Sequence, residues 1–199
     1  MPLAAASATL GVQMAAAAGS VDPPGIVAWT AIGGVIATTL PAYCSAFNPL
    51  KGTPMVSTAG VVLPGSGGLV SIDGTPMGLL LAAASGSVDA AGITKWTNIA
   101  RALVDWMGAN AVYGPAGLVG YTGLGSGPVT GSGQLQFIDE NIGPTLAEAA
   151  GSTDATGIAK WIAIGAAFIA AVKTSGQIAP TSLQNPGPSG PVTGAGTFS

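Results

Sequence analysis

Apolar residues recur at one helical spacing in three places along the chain. Counting from Asp22, they stand at +4, +7, +10 and +14: Ile26, Trp29, Ile32 and Ile36. The same count from Asp89 gives Ile93, Trp96, Ile99 and Leu103, and from Asp154 it gives Ile158, Trp161, Ile164 and Phe168. Such spacing predicts one buried stripe on an amphipathic helix. Ahead of each stripe runs an alanine-rich segment, "LGVQMAAAA", "GLLLAAAS" or "TLAEAA", and alanine is the strongest helix former. Gly19, Gly86 and Gly151 follow these segments, where a left-handed residue commonly ends a helix. Three residues further on, Asp22, Asp89 and Asp154 are predicted N-caps, their carboxylates facing the free N–H groups and positive end of the next helix. Pro23 and Pro24 suit an opening turn. Each tryptophan is expected to anchor the inner face of its own helical hairpin.

The aspartates and the tryptophans both follow one another at intervals of 67 and 65 residues. A second shared element lies downstream: "PGSGGLVSI" from Pro64, "TGSGQLQFI" from Thr130 and "TGAGTFS" from Thr193. Around these the chain is rich in Gly, Pro, Ser and Thr with short alternating runs, which favour tight turns and short strands. The pattern predicts an α+β fold of three tandem repeats of about 65 residues, each a helical hairpin followed by glycine-rich β segments. The modules span 1–77, 78–144 and 145–199, the third being truncated. A unit this small buries little core unaided, so the three are expected to share one core, stacked in a row or set about a pseudo-threefold axis. The short third ribbon is completed either by a neighbouring chain or by pairing with the first module.

Composition narrows the functional classes. Of 199 residues 48% are apolar, mostly small, and only 7% are charged, against roughly 25% in an ordinary soluble domain. A surface so poor in charge is expected to lie against something else: copies of itself, another protein, or lipid. The formal net charge is −3, and Lys51, Lys95, Arg101, Lys160 and Lys173 are scattered, so no cationic footprint for nucleic acid exists. No basic stretch precedes the first apolar segment, so no secretory signal is expected.

The run from Pro23 to Leu50 lacks charge and exceeds the about 20 residues that cross a bilayer. Its counterpart in the second copy carries Lys95, Asn98, Arg101 and Asp105, which lipid penalises by roughly 2.5–3.5 kcal/mol per charge. In the third, Trp161 to Val172 is bracketed by Lys160 and Lys173. Copies of one module share one environment, so all three helices are expected to be buried in protein.

Candidate chemistry is sparse. With no histidine, Ser–His–Asp and Cys–His arrangements are impossible, and no Ser-x-x-Lys motif occurs. The single cysteine, Cys44, forms no intrachain disulfide and reads as a small buried hydrophobe rather than a reactive thiol. "GLGSGPVTGSG" lacks the Gly-Lys-Ser/Thr ending of a phosphate loop and reads as turn glycines. Asp139 and Glu140 read as a solvated turn. The three repeated aspartates could bind a metal only by converging, and capping explains each separately. Lys95 and Lys160, where the first copy has Ala28, suit a solvated or intersubunit face. No catalytic residue, cofactor or metal site is expected. The repeat positions Gly19, Asp22, Trp29, Gly86, Asp89, Trp96, Gly151, Asp154 and Trp161 are structural, and Trp106 stands outside the repeat.

The repeated elements "GPVTGSG" and "GPVTGAG", in a small Ala/Gly-rich chain with one cysteine, resemble structural proteins of tailed bacteriophage particles: capsid decoration, neck and baseplate components. The resemblance is one of style across the whole chain. It implies a virion subunit that reinforces a symmetric particle, with copies of itself and other structural proteins of that particle as partners. A membrane-associated pore or anchor is the alternative, resting on the mean hydropathy of +0.58. A ligand-binding or enzymatic role has only the four tryptophans in its favour.

Overall fold

Alanine-rich runs and Asp-initiated stripes become helices in alternation. The computed structural model describes residues 3–44, 46–63, 67–113 and 117–199. A 3-10 turn, Leu3–Ala6, leads into α1 (Ser7–Ala17) and α2 (Pro23–Tyr43). Then come α3 (Thr75–Ser85) with α4 (Ala90–Asn110), and α5 (Gly143–Ala149) with α6 (Ala155–Ser175). The module limits at 77/78 and 144/145 fall inside α3 and α5. Pro76 and Pro144 each sit in a helix's opening turn.

Each hairpin turn is built alike. Gly19, Gly86 and Gly151 adopt φ of 68°, 76° and 70°. The next residue's N–H, from Ser20, Ser87 or Ser152, donates to the carbonyl of Ala15, Ala82 or Ala147, the Schellman pattern. Asp22, Asp89 and Asp154 then cap the long helices, accepting from the N–H groups of Gly25, Gly92 and Gly157. Glycine also sets how closely the helices of a pair approach. A Cβ on Gly11, Gly78 or Gly143 would lie 2.5, 2.4 or 2.3 Å from the Cα of Thr30, Thr97 or Ile162, closer than any side chain permits. These glycines stand at the same intervals of 67 and 65 residues as the tryptophans.

Consecutive helices pack in chain order and α6 returns against α1, so the six form a closed ring. The long helices bury a stripe rather than their whole surface. In their most apolar stretches only 28% of α2 and 39% of α6 is buried, so the expectation that these helices are buried in protein holds for one stripe of each and not for the rest of its surface. Neighbours on two sides and the core on a third leave one face open. Ile26, at the start of its stripe, is 37% exposed, and Ile93 and Ile158 are half-buried.

Each long helix runs directly into a strand. β1 (Ala46–Asn48) follows α2, β5 (Ala111–Tyr113) follows α4, and β10 (Gln177–Ala179) follows α6. With β4 (Gly68–Val70), β9 (Gly133–Phe137) and β13 (Gly196–Phe198) they make an antiparallel sheet ordered β4-β1-β13-β10-β9-β5. The opposed couples Phe47–Leu69, Tyr113–Leu135 and Ile178–Phe198 are 0 or 1% exposed and form the core beneath the helices. β13 pairs with β1, so this strand is completed within the chain rather than by a neighbouring one. The edge strands β4 and β5 also lie against each other. Lys51 ties β4 to the last turn of α4, its ammonium donating to the carbonyls of Leu69 and Gly108.

The outer β layer is made of very short strands. These are β2 (Val56–Thr58), β3 (Val61–Val62), β6 (Leu118–Val119), β7 (Gly127–Pro128), β8 (Thr130–Gly131), β11 (Gln184–Asn185) and β12 (Gly190–Pro191). They pair as β12-β2-β3-β6-β8 and β11-β7. Of the shared glycine-rich element, Pro64, Gly65 and Ser66 lie outside the described residues. The protein is thus a mixed α and β fold, with six helices among the described residues and antiparallel sheets.

Candidate functional site

The capping aspartate and the Schellman glycine fix where each long helix begins, which places its tryptophan in the second turn. The three indoles meet. Ring centroids are 6.3 Å apart for Trp29–Trp96, 6.2 Å for Trp29–Trp161 and 6.4 Å for Trp96–Trp161, with planes at 72°, 70° and 70°. This is a closed triangle of edge-to-face contacts, the geometry the aromatic quadrupole favours. Trp96 and Trp161 are 9% and 7% exposed, and Trp29 is half-buried. Sequence reading assigned each tryptophan to its own hairpin; the fold gathers all three into one cluster.

A cleft of about 460 Å³ opens beside the triangle, lined by the indoles together with Lys95, Lys160 and Asp154. The lysines are exposed. The carboxylate of Asp154 accepts from Gly157 N at 2.8 Å, and Asp22 and Asp89 accept likewise at 2.9 and 2.8 Å. The aspartates therefore serve their own helices. Among the described residues no three His, Cys, Asp or Glu side chains gather as a metal ion would need. The cleft offers aromatic packing surface and two ammonium groups.

Other reactive types are engaged elsewhere. Cys44 is fully buried beneath α4, its sulfur 3.9 Å from the Val104 carbonyl. Burial pushes its thiol up to about 12, with Lys51 opposing and Asp105 adding to the shift, so it stays protonated and non-nucleophilic at neutral pH. Glu140 is solvent-exposed and pairs with Lys173 at 2.6 Å. Asp139 accepts from Asn141 N at 2.8 Å. Trp106 packs on Phe137, with centroids 5.2 Å apart.

In the outer β layer lies a polar cluster that sequence reading missed. Asn185, 1% exposed, accepts from Tyr121 N at 2.6 Å and donates to Ser57 Oγ at 2.8 Å, to Tyr121 O at 3.2 Å and to Gly187 O. Ser57, Tyr121 and Asn185 follow one another at intervals of 64 residues. That interval, close to the 67 and 65 residues that separate the tryptophans, was the available signal; three different side chains concealed it. Loops meet beside the cluster, where Gly60 N donates to Pro188 O and Gly120 N to Gly60 O, both at 2.7 Å.

Two of the long helices, Pro23–Tyr43 and Ala155–Ser175, have the length and apolar composition to cross a bilayer. Compared with protein-family models, with curated proteins and with solved structures, the chain matches none.

Proposed function

We propose that this protein is a non-enzymatic structural subunit of a large symmetric particle, of the bacteriophage virion type. In this reading the chain is one module repeated three times about a pseudo-threefold axis, with all three modules sharing one core. One observation carries it: the tryptophans of three like-built hairpins close on one another at nearly equal distances and angles. The strand pairing agrees with it. In the inner sheet β1 pairs with β13, β10 with β9, and β5 lies by β4; in the outer layer β2 pairs with β12, β11 with β7, and β6 with β3. Both sets join the first segment to the third, the third to the second, and the second to the first.

A single chain with threefold geometry fits a threefold or quasi-threefold position, where it reinforces the proteins around it. The low charge of the chain and the style of its "GPVTGSG" and "GPVTGAG" elements support that setting. The experiment is purification without detergent, followed by electron microscopy of the protein alone and with the coat or baseplate proteins of its particle. Attachment at threefold positions is the expected result. Solubility only in detergent refutes it and favours the membrane reading, which the lengths and hydropathy of α2 and α6 support. A permuted chain in which residues 75–199 precede residues 3–74 tests the repeat separately. It is expected to fold with the same tryptophan triangle, and loss of folding would count against threefold equivalence.

A further inference from the structure

Charge is distributed unevenly over this fold. Residues 52–72, 106–138 and 174–199 contain no Asp, Glu, Lys or Arg, and every strand of the outer β layer among the described residues lies in these stretches. Folded surfaces ordinarily carry about 25–35% charged residues, and charge depletion is the compositional mark of an interface core. The same layer exposes large apolar side chains. Val61 and Val119 are directly opposed on β3 and β6, hence on one face, and are 63% and 52% exposed. Leu124, in the loop between β6 and β7, is 99% exposed. Gly123 and Gly125, on either side of Leu124, lie against Gly187, in the third of the loops that meet beside Asn185.

We infer that the charge-free β end is a self-association surface, and that its occupant is the same β end of a second copy of this chain. Charge matching selects the occupant. The helical end presents exposed Asp22, Asp89, Asp154, Lys95 and Lys160, so a head-to-tail contact would take ionised groups out of water at a cost their partial pairing does not offset. Only a charge-free surface meets the β end without that cost. The flank of α1 and α2, with Val12 and Val27 55% and 68% exposed, is one, but the β end laid on it is a heterologous contact that leaves an open chain, whereas like on like closes as the isologous geometry of a twofold dimer. This inference rests on the assembly reading only in expecting covered surface; it adds the face and its partner.

Light scattering on the detergent-free protein tests it. The expected species has twice the 19.1 kDa chain mass and keeps it as salt is raised, because no ion pair is there to be screened. Leu124→Asp and Val119→Asp are expected to return it to the mass of one chain with an unchanged circular dichroism spectrum. Val21→Asp and Val88→Asp, at residues 90% exposed on the helical end, are expected to leave it dimeric. A wild-type monomer at every attainable concentration overturns the inference while the assembly reading keeps its own test. A dimer that survives the β-end substitutions and is split by the helical-end ones overturns it as well.

Discussion

Truncating Trp96 to alanine asks whether the three indoles act as one unit. Trp96 is 9% exposed, so nearly all of a tryptophan's roughly 200 Å² of burial is at stake. At about 25 cal/mol per Å² that is an upper limit of roughly 5 kcal/mol. Its two edge-to-face contacts contribute about 0.5–1.5 kcal/mol each beyond area, and partial collapse of the cleft recovers some of the total. The expected loss is about 4 kcal/mol, within the range for large aromatic truncations. For a chain of this length that lowers Tm by roughly 10 °C. Trp29→Ala should cost less, since Trp29 is only half-buried. Urea unfolding followed by circular dichroism gives each value, and a double-mutant cycle on Trp96 and Trp161 should return a coupling of about 1 kcal/mol. A Trp96→Ala loss under about 0.5 kcal/mol, typical of surface positions, or a coupling of zero, would refute the triangle as a stabilising unit.

Three further outcomes follow from other parts of the fold. Gly143→Ala forces a Cβ to 2.3 Å from the Ile162 Cα and should destabilise by roughly 1–3 kcal/mol as α5 is pushed off α6; a neutral result in chemical denaturation would contradict that close approach. Asn185→Leu leaves the Tyr121 N–H and buried carbonyls unpaired and should cost about 3 kcal/mol, with native-state hydrogen exchange rising first at Tyr121 and Gly120; unchanged exchange there would count against the network. Because burial raises the Cys44 thiol from 9.0 to about 12, the unfolded chain loses this proton at lower pH than the folded one. Stability should therefore be unaffected by Cys44 below about pH 9 and fall between about 9 and 12. A Cys44→Ala variant with the same alkaline slope as the wild type would sink that assignment.

The hairpins were legible in the sequence because their signals are local. A glycine that ends a helix, an aspartate three residues on and a stripe at fixed offsets each act within one or two turns. The meeting of Trp29, Trp96 and Trp161 was not legible, because it depends on how three helices far apart in sequence lean toward one another. The strand order was hidden for a related reason. Strands of two or three residues, such as β2 and β12, carry no usable alternation, and the pairing of these two joins segments more than a hundred residues apart. Lys51 gave no signal at all, since its partners are backbone carbonyls that any residue supplies. Gly11, Gly78 and Gly143 were visible at the repeat intervals, but a glycine in an alanine-rich helix reads as a weak point until its neighbour's backbone is seen against it.

The position of β13 has a consequence for how the chain is made. This strand sits between β1 and β10, so β1 has no partner on that side until Gly196–Phe198 are synthesised. At about 5–20 residues per second, the stretch from β1 to β13 takes roughly 7–30 s to emerge. Throughout that time one edge of the nascent sheet is open, and folding segment by segment from the N-terminus cannot complete it. The sheet is complete only after Gly196–Phe198 have been made.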